Sequence, residues 1–260
     1  MIDFTGKQGI VFGVANQRSI ATAVARQLKA LGAELALTYG PDPKGRFEQN
    51  VRDLAGELGA EQVLPADVRD DAAIEAVFQS LEKSWGGVDF VVHSVAYADR
   101  ADLEVPFSHT SREGWLIAQE VSAFSLVAMA RYAAPLMRKR GGGAMVGMTF
   151  IGSVLAVPQY NVMGPAKAAL ESSMRYLARE LGPDNIRCNA VSAGALRTLS
   201  SSGIKNFGDM LKIAGEHAAL ARNVTVEEIA QATVFLLSGA AGGITGQCIY
   251  VDGGFNIMAN

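Results

Sequence analysis

Short apolar segments alternate with longer amphipathic segments along the whole chain, and this alternation limits the fold more than any other feature. Helical patterns cover about 19–31, 46–58, 71–85, 111–138, 160–181 and 225–237. Seven segments between and around them read as buried strands: 9–12, 34–38, 62–64, 90–93, 144–148, 187–191 and 248–251. Such alternation implies right-handed crossovers and a parallel sheet covered by helices on both faces. We therefore predict one α/β domain over residues 1–260, a Rossmann-like doubly wound parallel sheet.

Composition excludes several classes of function. A net charge of -3 provides no basic field for nucleic acid. No apolar run is long enough to cross a membrane, and the start of the chain has no secretory pattern, so we expect a cytoplasmic protein. Cys188 and Cys248 match no metal-binding spacing and are expected to be reduced thiols, while the three histidines are scattered. We predict no metal site.

The segment after the first strand is a candidate phosphate-binding turn. Sheets of this type bind ligands at the carboxyl ends of their strands. Gly13 lets the backbone approach a pyrophosphate, and Ala15, Ser19 and Ile20 lead into a helix whose N-terminus attracts anions, with Ser19 as the N-cap. Because Gly13 stands without the usual second and third glycines, an ordinary tight turn is the alternative.

Two other strand ends complete the candidate cofactor site. Asp67 and Val68 close the third strand, where they can flank an adenine, although Asp67 can equally be the N-cap of the next helix. Ser94, Val95 and Ala96 follow the fourth strand and leave room for a cofactor.

The sequence does not distinguish NADH from NADPH. The second strand ends in residues 38–40 without the carboxylate that would bind a ribose and indicate NAD. Lys44 and Arg46 follow, and they are either ligands of a 2′-phosphate or ordinary surface charges.

Tyr160 and Lys167 are the candidate catalytic pair. Seven residues make two helical turns, so we expect both side chains on one face of a helix. An ammonium beside a phenol is expected to lower the tyrosine pKa and to stabilise nearby negative charge. The alanines around Lys167 argue against a solvated surface lysine.

Taken together, these motifs resemble the short-chain dehydrogenase/reductase superfamily and, within it, the bacterial enoyl-acyl-carrier-protein reductases of type II fatty acid synthesis. The resemblance covers essentially residues 1 to 258. It depends on Tyr160 with Lys167, at a wider spacing than most of the superfamily uses, and on the segments 13–15, 19–21, 93–94, 192–198 and 251–254.

The resemblance implies that NADH or NADPH reduces the trans-2 double bond of an enoyl thioester on acyl carrier protein. Tyr160 would donate to the thioester oxygen as it becomes an enolate, and Lys167 would bind the nicotinamide ribose. Leu196 and Thr198 would contact the nicotinamide and the pyrophosphate. Family members are commonly tetramers, so we expect a homotetramer.

The resemblance also implies a mobile substrate-binding segment at about 199–222. An apolar acyl pocket would be lined by Tyr97, Ala98, Phe150, Tyr160, Met163, Leu199, Ile204, Phe207 and Met210. For any one of these apolar residues, an ordinary place in the core is the alternative.

Three features depart from the family pattern. Phe150 stands where many relatives have a second tyrosine, and Gly208 with Asp209 where a basic pair can meet the carrier protein. Coenzyme A thioesters or other conjugated enones therefore stay open as substrates, as does a nucleotide-binding sensor without turnover. Pro165 is tolerable only in the first turn of a helix, so we predict that the helix begins close to Tyr160.

Overall fold

The protein is described from a computed structural model, which covers residues 2–42, 44–197 and 207–259, with the side chain of Phe207 left out. Seven strands form one parallel sheet in the order β3-β2-β1-β4-β5-β6-β7. Their bounds are β1 Gln8–Phe12, β2 Glu34–Tyr39, β3 Gln62–Pro65, β4 Phe90–His93, β5 Gly143–Thr149, β6 Ile186–Ala193 and β7 Cys248–Val251. From β1 the strands are added toward one edge of the sheet up to β3, and from β4 they are added toward the other edge. The carboxyl ends of β1 and β4 are therefore the topological switch point.

Helices cover both faces of the sheet, which confirms the predicted doubly wound α/β fold. The structure gives α1 Ile20–Ala30, α2 Arg46–Leu58, α3 Asp71–Trp85, α4 Arg100–Glu104, α5 Arg112–Gln119, α6 Ser125–Lys139, α7 Met163–Leu181, α8 Phe207–His217 and α9 Val226–Leu237. One core cluster packs α3, α6 and α7 on the sheet, and a second packs α1, α2 and α9 on the opposite face. A capping box opens α9, where Thr225 and Glu228 satisfy each other's backbone N–H groups.

The helical stretch predicted over 111–138 is present over Arg112–Lys139, but it is not one regular α-helix. A π-helix, Glu120–Phe124, separates α5 from α6. In this π-helix the buried hydroxyl of Ser122 accepts from the N–H of Tyr97, in the loop after β4. Apolar periodicity does not predict such a tertiary contact. The short α4 and the helix α8 also lie outside the helices predicted from the sequence.

Among the helices that the structure describes, none is long and apolar enough to cross a membrane.

Candidate active site

Gly13 brings the turn after β1 against the end of β4. Its φ is +88°, and a Cβ placed on it would lie 2.1 Å from the carbonyl oxygen of Ser94. A side chain is therefore excluded on both backbone and steric grounds. Two strand ends that carry predicted cofactor residues, 13–15 and 94–96, come together at the switch point, as the sequence predicts.

Ser19 is the N-cap of α1, as predicted. Its hydroxyl accepts from the N–H of Thr22 at 3.2 Å, and the Thr22 hydroxyl donates to the carbonyl of Asn16 at 2.7 Å. The side-chain amide of Asn50 on α2 donates to the carbonyl of Ala15 at 2.8 Å and holds the turn from the other side. Ile20 begins the helix, whose first N–H groups have no intrahelical partner and point out of its end.

Asp67 is not a helix cap. The N-cap of α3 is Asp70, whose side chain accepts from the N–H of Ala72. Asp67 instead accepts from the N–H of Arg69 at 3.0 Å and stays half-buried at the end of β3, beside buried Val68. The N-cap alternative for Asp67 is therefore wrong, and its contact with an adenine stays a prediction.

Asp42 is a carboxylate just beyond β2 to which the sequence analysis gave no role. It accepts from the backbone N–H groups of Lys44, Arg46 and Phe47 at 3.1, 2.7 and 3.2 Å, so it caps the start of α2. Those backbone bonds lower the pKa of its carboxyl. Lys44 and Arg46 are exposed, and Arg46 lies 3.7 Å from Asp42. The arrangement does not decide between NADH and NADPH.

Tyr160 lies in a tight turn three residues before α7. The helix begins at Met163, which confirms a start close to Tyr160 and puts Pro165 in the first turn, but the predicted shared helical face is wrong. The turn needs left-handed backbone at Gln159 (φ 62°) and Asn161 (φ 40°), and this breaks helical periodicity. Neither position is a glycine, which is the usual sequence signal for this conformation, although asparagine adopts it more often than most residues do.

Asn161 anchors this turn to α4, a role that the sequence analysis missed. Its side-chain amide donates to the carbonyls of Asp102, Leu103 and Val105, the last at 2.6 Å. These are carbonyls at the end of α4 that need donors. The only feature of the sequence that pointed to Asn161 is its position next to Tyr160.

The ring of Tyr160 packs on Phe150, with the centroids 4.8 Å apart. Tyr160 also joins a small apolar cluster with Ala96, Ala98, Met163 and Ala166. Burial, and then the charge of Glu171, raise the pKa of Tyr160 above its ordinary value. The predicted lowering of this pKa is therefore wrong: the phenol is held in its protonated, donating form.

Lys167 is buried on α7, with 5% of its surface exposed. Its Nζ donates to the carbonyl of Met148, near the end of β5, at 2.8 Å. An ammonium has three donors, so two are left to bind another group. Burial lowers the pKa of Lys167 to about 8, and the negative charge of Glu171 acts in the opposite direction. A lysine with this pKa changes charge near neutral pH, which a surface lysine does not.

His93 ends β4 beneath the site and is fully buried. Its Nε2 lies 2.7 Å from the hydroxyl of Ser125, which itself donates to the carbonyl of Val121 at 2.7 Å. The Ser125 hydrogen is thus occupied, which makes His93 Nε2 the donor and leaves Nδ1 without a hydrogen-bond partner among the described residues. Burial, with a contribution from Lys167, lowers the pKa of His93 to about 3, so the ring is neutral.

Ser122 in the π-helix fixes the backbone of Tyr97. The Tyr97 N–H donates to the Ser122 hydroxyl at 3.0 Å, and the Tyr97 carbonyl lies 3.1 Å from the same oxygen. The sulfur of Met163 lies 3.8 Å from it as well. Tyr97 itself is 48% exposed and donates to Asp99 at 2.7 Å. Three predicted substrate residues, Tyr97, Ala98 and Met163, therefore come to one wall beside Tyr160.

A cavity of about 610 Å³ lies between α8 and the loop after β5. Its lining is mostly apolar and includes Phe150 and Met210, two predicted substrate residues, together with Leu155, Val157 and Ile213. Tyr97, Ala98, Tyr160 and Met163 do not line it. The predicted acyl-binding residues thus divide between this cavity and the wall beside Tyr160.

Several predicted positions lie outside the described residues: Thr198, Leu199, Ile204 and the side chain of Phe207. Leu196 is half-buried after β6 and packs on the core cluster of α1, α2 and α9. In the part of the chain that the structure describes, no three His, Cys, Asp or Glu side chains come close enough to bind a metal ion.

Comparison with known proteins identifies the family. The family model described as enoyl-(acyl carrier protein) reductase matches residues 13–256. The enoyl-[acyl-carrier-protein] reductase [NADH] FabI of Synechocystis is 46% identical over 258 residues, 99% of each chain, and that of Bacillus cereus is 46% identical over 97% of this chain and 98% of its own.

Solved structures agree. The Bacillus cereus enoyl-acyl carrier protein reductase with NADP+ and indole naphthyridinone has a TM-score of 0.94 at 45% identity, with all of both chains covered. The Anaplasma phagocytophilum enzyme in complex with NAD has a TM-score of 0.93 at 40% identity, with 99% of this chain and 96% of that chain covered. With a full-length sequence match and the same parallel sheet, this chain belongs to the enoyl-(acyl carrier protein) reductase family.

Proposed function

We propose that this protein is an NADH- or NADPH-dependent enoyl-acyl-carrier-protein reductase, which reduces the trans-2 double bond of enoyl thioesters in fatty acid synthesis. The observation that carries the proposal is the buried side chain of Lys167, bonded at the carboxyl end of β5 in a sheet whose switch point is shaped by Gly13. The residues at that edge fit a dinucleotide: Gly13 lets the turn after β1 lie against the end of β4, and α1 presents its N-terminus there. Relatives named as NADH enzymes and structures holding NAD or NADP+ support this cofactor class.

The protein's contribution to the reaction is a placed proton donor. When bound, NADH or NADPH supplies a hydride to the β-carbon of the enoyl thioester. Negative charge then develops on the thioester oxygen, and Tyr160 donates its O–H toward that oxygen. Burial keeps this hydroxyl protonated across the physiological range because it raises the pKa of Tyr160. Lys167 adds positive potential at the end of β5, and its two remaining donors would hold the ribose hydroxyls of the bound cofactor.

The acyl chain is expected to leave this centre through the apolar cavity beside α8. Phe150 and Met210 line it, and each methylene buried there contributes roughly 0.8 kcal/mol to binding. Ile213 on α8 and Leu155 opposite it add further apolar lining. The mobility expected of residues 199–222 stays a prediction.

Oxidation of NADH or NADPH at 340 nm tests the proposal, with crotonyl-CoA and longer enoyl thioesters as substrates. We expect one cofactor to be oxidised rapidly by wild type and Tyr160→Phe to lose at least 100-fold in kcat. Tyr176→Phe is the matched control because Tyr176 is 73% exposed on α7 and loses the same hydroxyl away from the site. Full activity in Tyr160→Phe would remove Tyr160 from the chemistry, and no oxidation of either cofactor would overturn the proposed reaction.

A second candidate substrate is a coenzyme A thioester or another conjugated enone. Asp209 lies in the first turn of α8 and lines the cavity, where a carboxylate repels an acidic carrier protein. A comparison of kcat/KM for the same enoyl chain on acyl carrier protein and on coenzyme A separates the two. A preference for the carrier that strengthens in Asp209→Lys would support the carrier-linked substrate.

We further propose a cytoplasmic homotetramer. Apolar side chains stand exposed on α5 and the π-helix, with Leu116 at 61% and Phe124 at 46%, and such surface commonly packs against another subunit. Light scattering should give about four times the 27.4 kDa chain mass, and a monomeric mass would refute the tetramer. Recovery with the membrane or periplasmic fraction would refute the location.

A further inference from the structure

Glu171 is a buried carboxylate for which the proposed reaction has no use. It lies on α7 four residues after Lys167, so the two side chains are neighbours on one helical face. Glu171 is 7% exposed and Lys167 is buried to a similar degree. Opposite charges that share a buried face interact more strongly than they would in water.

The end of β5 connects the same two residues a second time. The hydroxyl of Thr149, itself buried, donates to Glu171 Oε1 at 2.6 Å. The preceding residue, Met148, accepts the Lys167 ammonium through its carbonyl at 2.8 Å. Two successive residues of β5 are thus bound to two charged residues one turn apart on α7. Both bonds hold this part of α7 against the end of β5.

We propose that Glu171 is a positioning residue for the reduction: it keeps the Lys167 amine in its charged form and, through Thr149, holds it against the end of β5. The inference rests on the proposed function for the role of Lys167 in turnover. The coupling between the two side chains does not depend on the reaction and can be measured without it.

The surroundings leave Glu171 as the main charge partner of Lys167. The other titratable groups around the pair are His93 on β4, Cys248 and Tyr250 on β7, Arg175 on α7 and Tyr160 before it. His93 is neutral because burial lowers its pKa, and burial raises the pKa of Cys248 to about 12 and that of both tyrosines above the ordinary value. These four are therefore uncharged from pH 6 to 9. Arg175 is exposed, and water screens its charge.

The test is the pH dependence of kcat/KM in Glu171→Gln. The amide can still accept from Thr149 but carries no charge. Loss of the charge should move the basic limb down by about one pH unit, which lowers kcat/KM about fivefold at pH 8 and leaves it near wild type at pH 6. Glu180→Gln makes the same change at an exposed position of α7 and should follow wild type. Thr149→Val keeps the charge and removes the bond, so it should lower kcat without moving the limb.

A direct titration of Lys167 gives the second readout, in protein without cofactor. The ¹³Cε resonance of labelled lysine, assigned with Lys167→Arg, should titrate about one unit lower in Glu171→Gln than in wild type. An unchanged titration, or a loss of activity equal at every pH, would overturn the proposal in favour of a purely structural glutamate. Failure of wild type to oxidise NADH or NADPH would refute the proposed function while this titration still decides the coupling.

Discussion

Gly152→Ala should reduce turnover strongly while leaving the protein folded. Gly152 lies in the turn after Phe150, and a Cβ on it would sit 2.5 Å from Tyr160 Cδ1 and 3.3 Å from Phe150 Cδ1. Carbon atoms need about 3.5 Å, so the Tyr160 ring must retreat by about 1 Å. A shift of that size in a catalytic group costs about 100-fold in rate. The backbone of Gly152 has no positive φ, so alanine adds no strain of that kind.

The stability cost of the same change should be small, about 1 kcal/mol, or a melting point lower by about 2–4 °C. The assay is steady-state oxidation of NADH at 340 nm with an enoyl thioester, beside a thermal melt of the same sample. Gly182→Ala is the matched control, because Gly182 has right-handed backbone and open space around it. A kcat within threefold of wild type in Gly152→Ala would refute the argument that the position of the Tyr160 ring limits the reaction.

Three further predictions concern residues around the site. Gly13→Ala puts a methyl group 2.1 Å from the Ser94 carbonyl oxygen at a φ of +88°. NADH binding, measured by fluorescence, should therefore weaken at least tenfold. Unchanged binding would contradict the close approach of the two strand ends. Asn161→Ala loses the 2.6 Å bond to the Val105 carbonyl and strains a φ of 40°, so the free energy of unfolding in urea should fall by about 2 kcal/mol. Asn161→Gly loses the bond alone and should cost about 1 kcal/mol. Equal losses in the two variants would refute the backbone contribution. The pKa of His93 is about 3 in the folded protein against 6.5 as its ordinary value, so the unfolded chain takes up the proton first and stability falls as pH drops from 6.5 toward 3. His93→Gln should lose less stability than wild type between pH 7 and 4.5, and parallel losses would refute a neutral buried histidine.

The sheet could be predicted from the sequence because strand signals in a doubly wound fold are local. Runs such as 90–92 are continuously apolar, as expected for strands buried on both faces. Ser19 and Thr225 mark the starts of their helices because each side chain accepts from a backbone N–H three residues later. These features depend on few residues close in the chain, and the structure confirms them.

The site was less predictable because its geometry depends on contacts distant in sequence. Tyr160 is placed by left-handed backbone at Asn161, which is stabilised by carbonyls some 56 to 59 residues earlier. From the sequence, Glu171 would be expected on the exposed face of a helix, whereas in the structure it is bonded to Thr149 of β5. Neither the raised pKa of Tyr160 nor the π-helix between α5 and α6 has a local cause, so the neighbouring lysine misled the first prediction and apolar periodicity missed the second feature.

The π-helix has a consequence for how this chain can vary. A π-helix closes its hydrogen bonds over five residues, so it holds one residue more than an α-helix of the same turn. Deleting one residue of 120–124 would convert it to α-helix and leave α6 at nearly the same rotation about its axis, because the wider turn takes up the extra residue locally. Leu126 and Met129, now fully buried, would keep their places in the core. What such a deletion would remove is the contact between Ser122 and the backbone of Tyr97, so a relative one residue shorter here is expected to fold normally but to hold the wall beside Tyr160 less firmly.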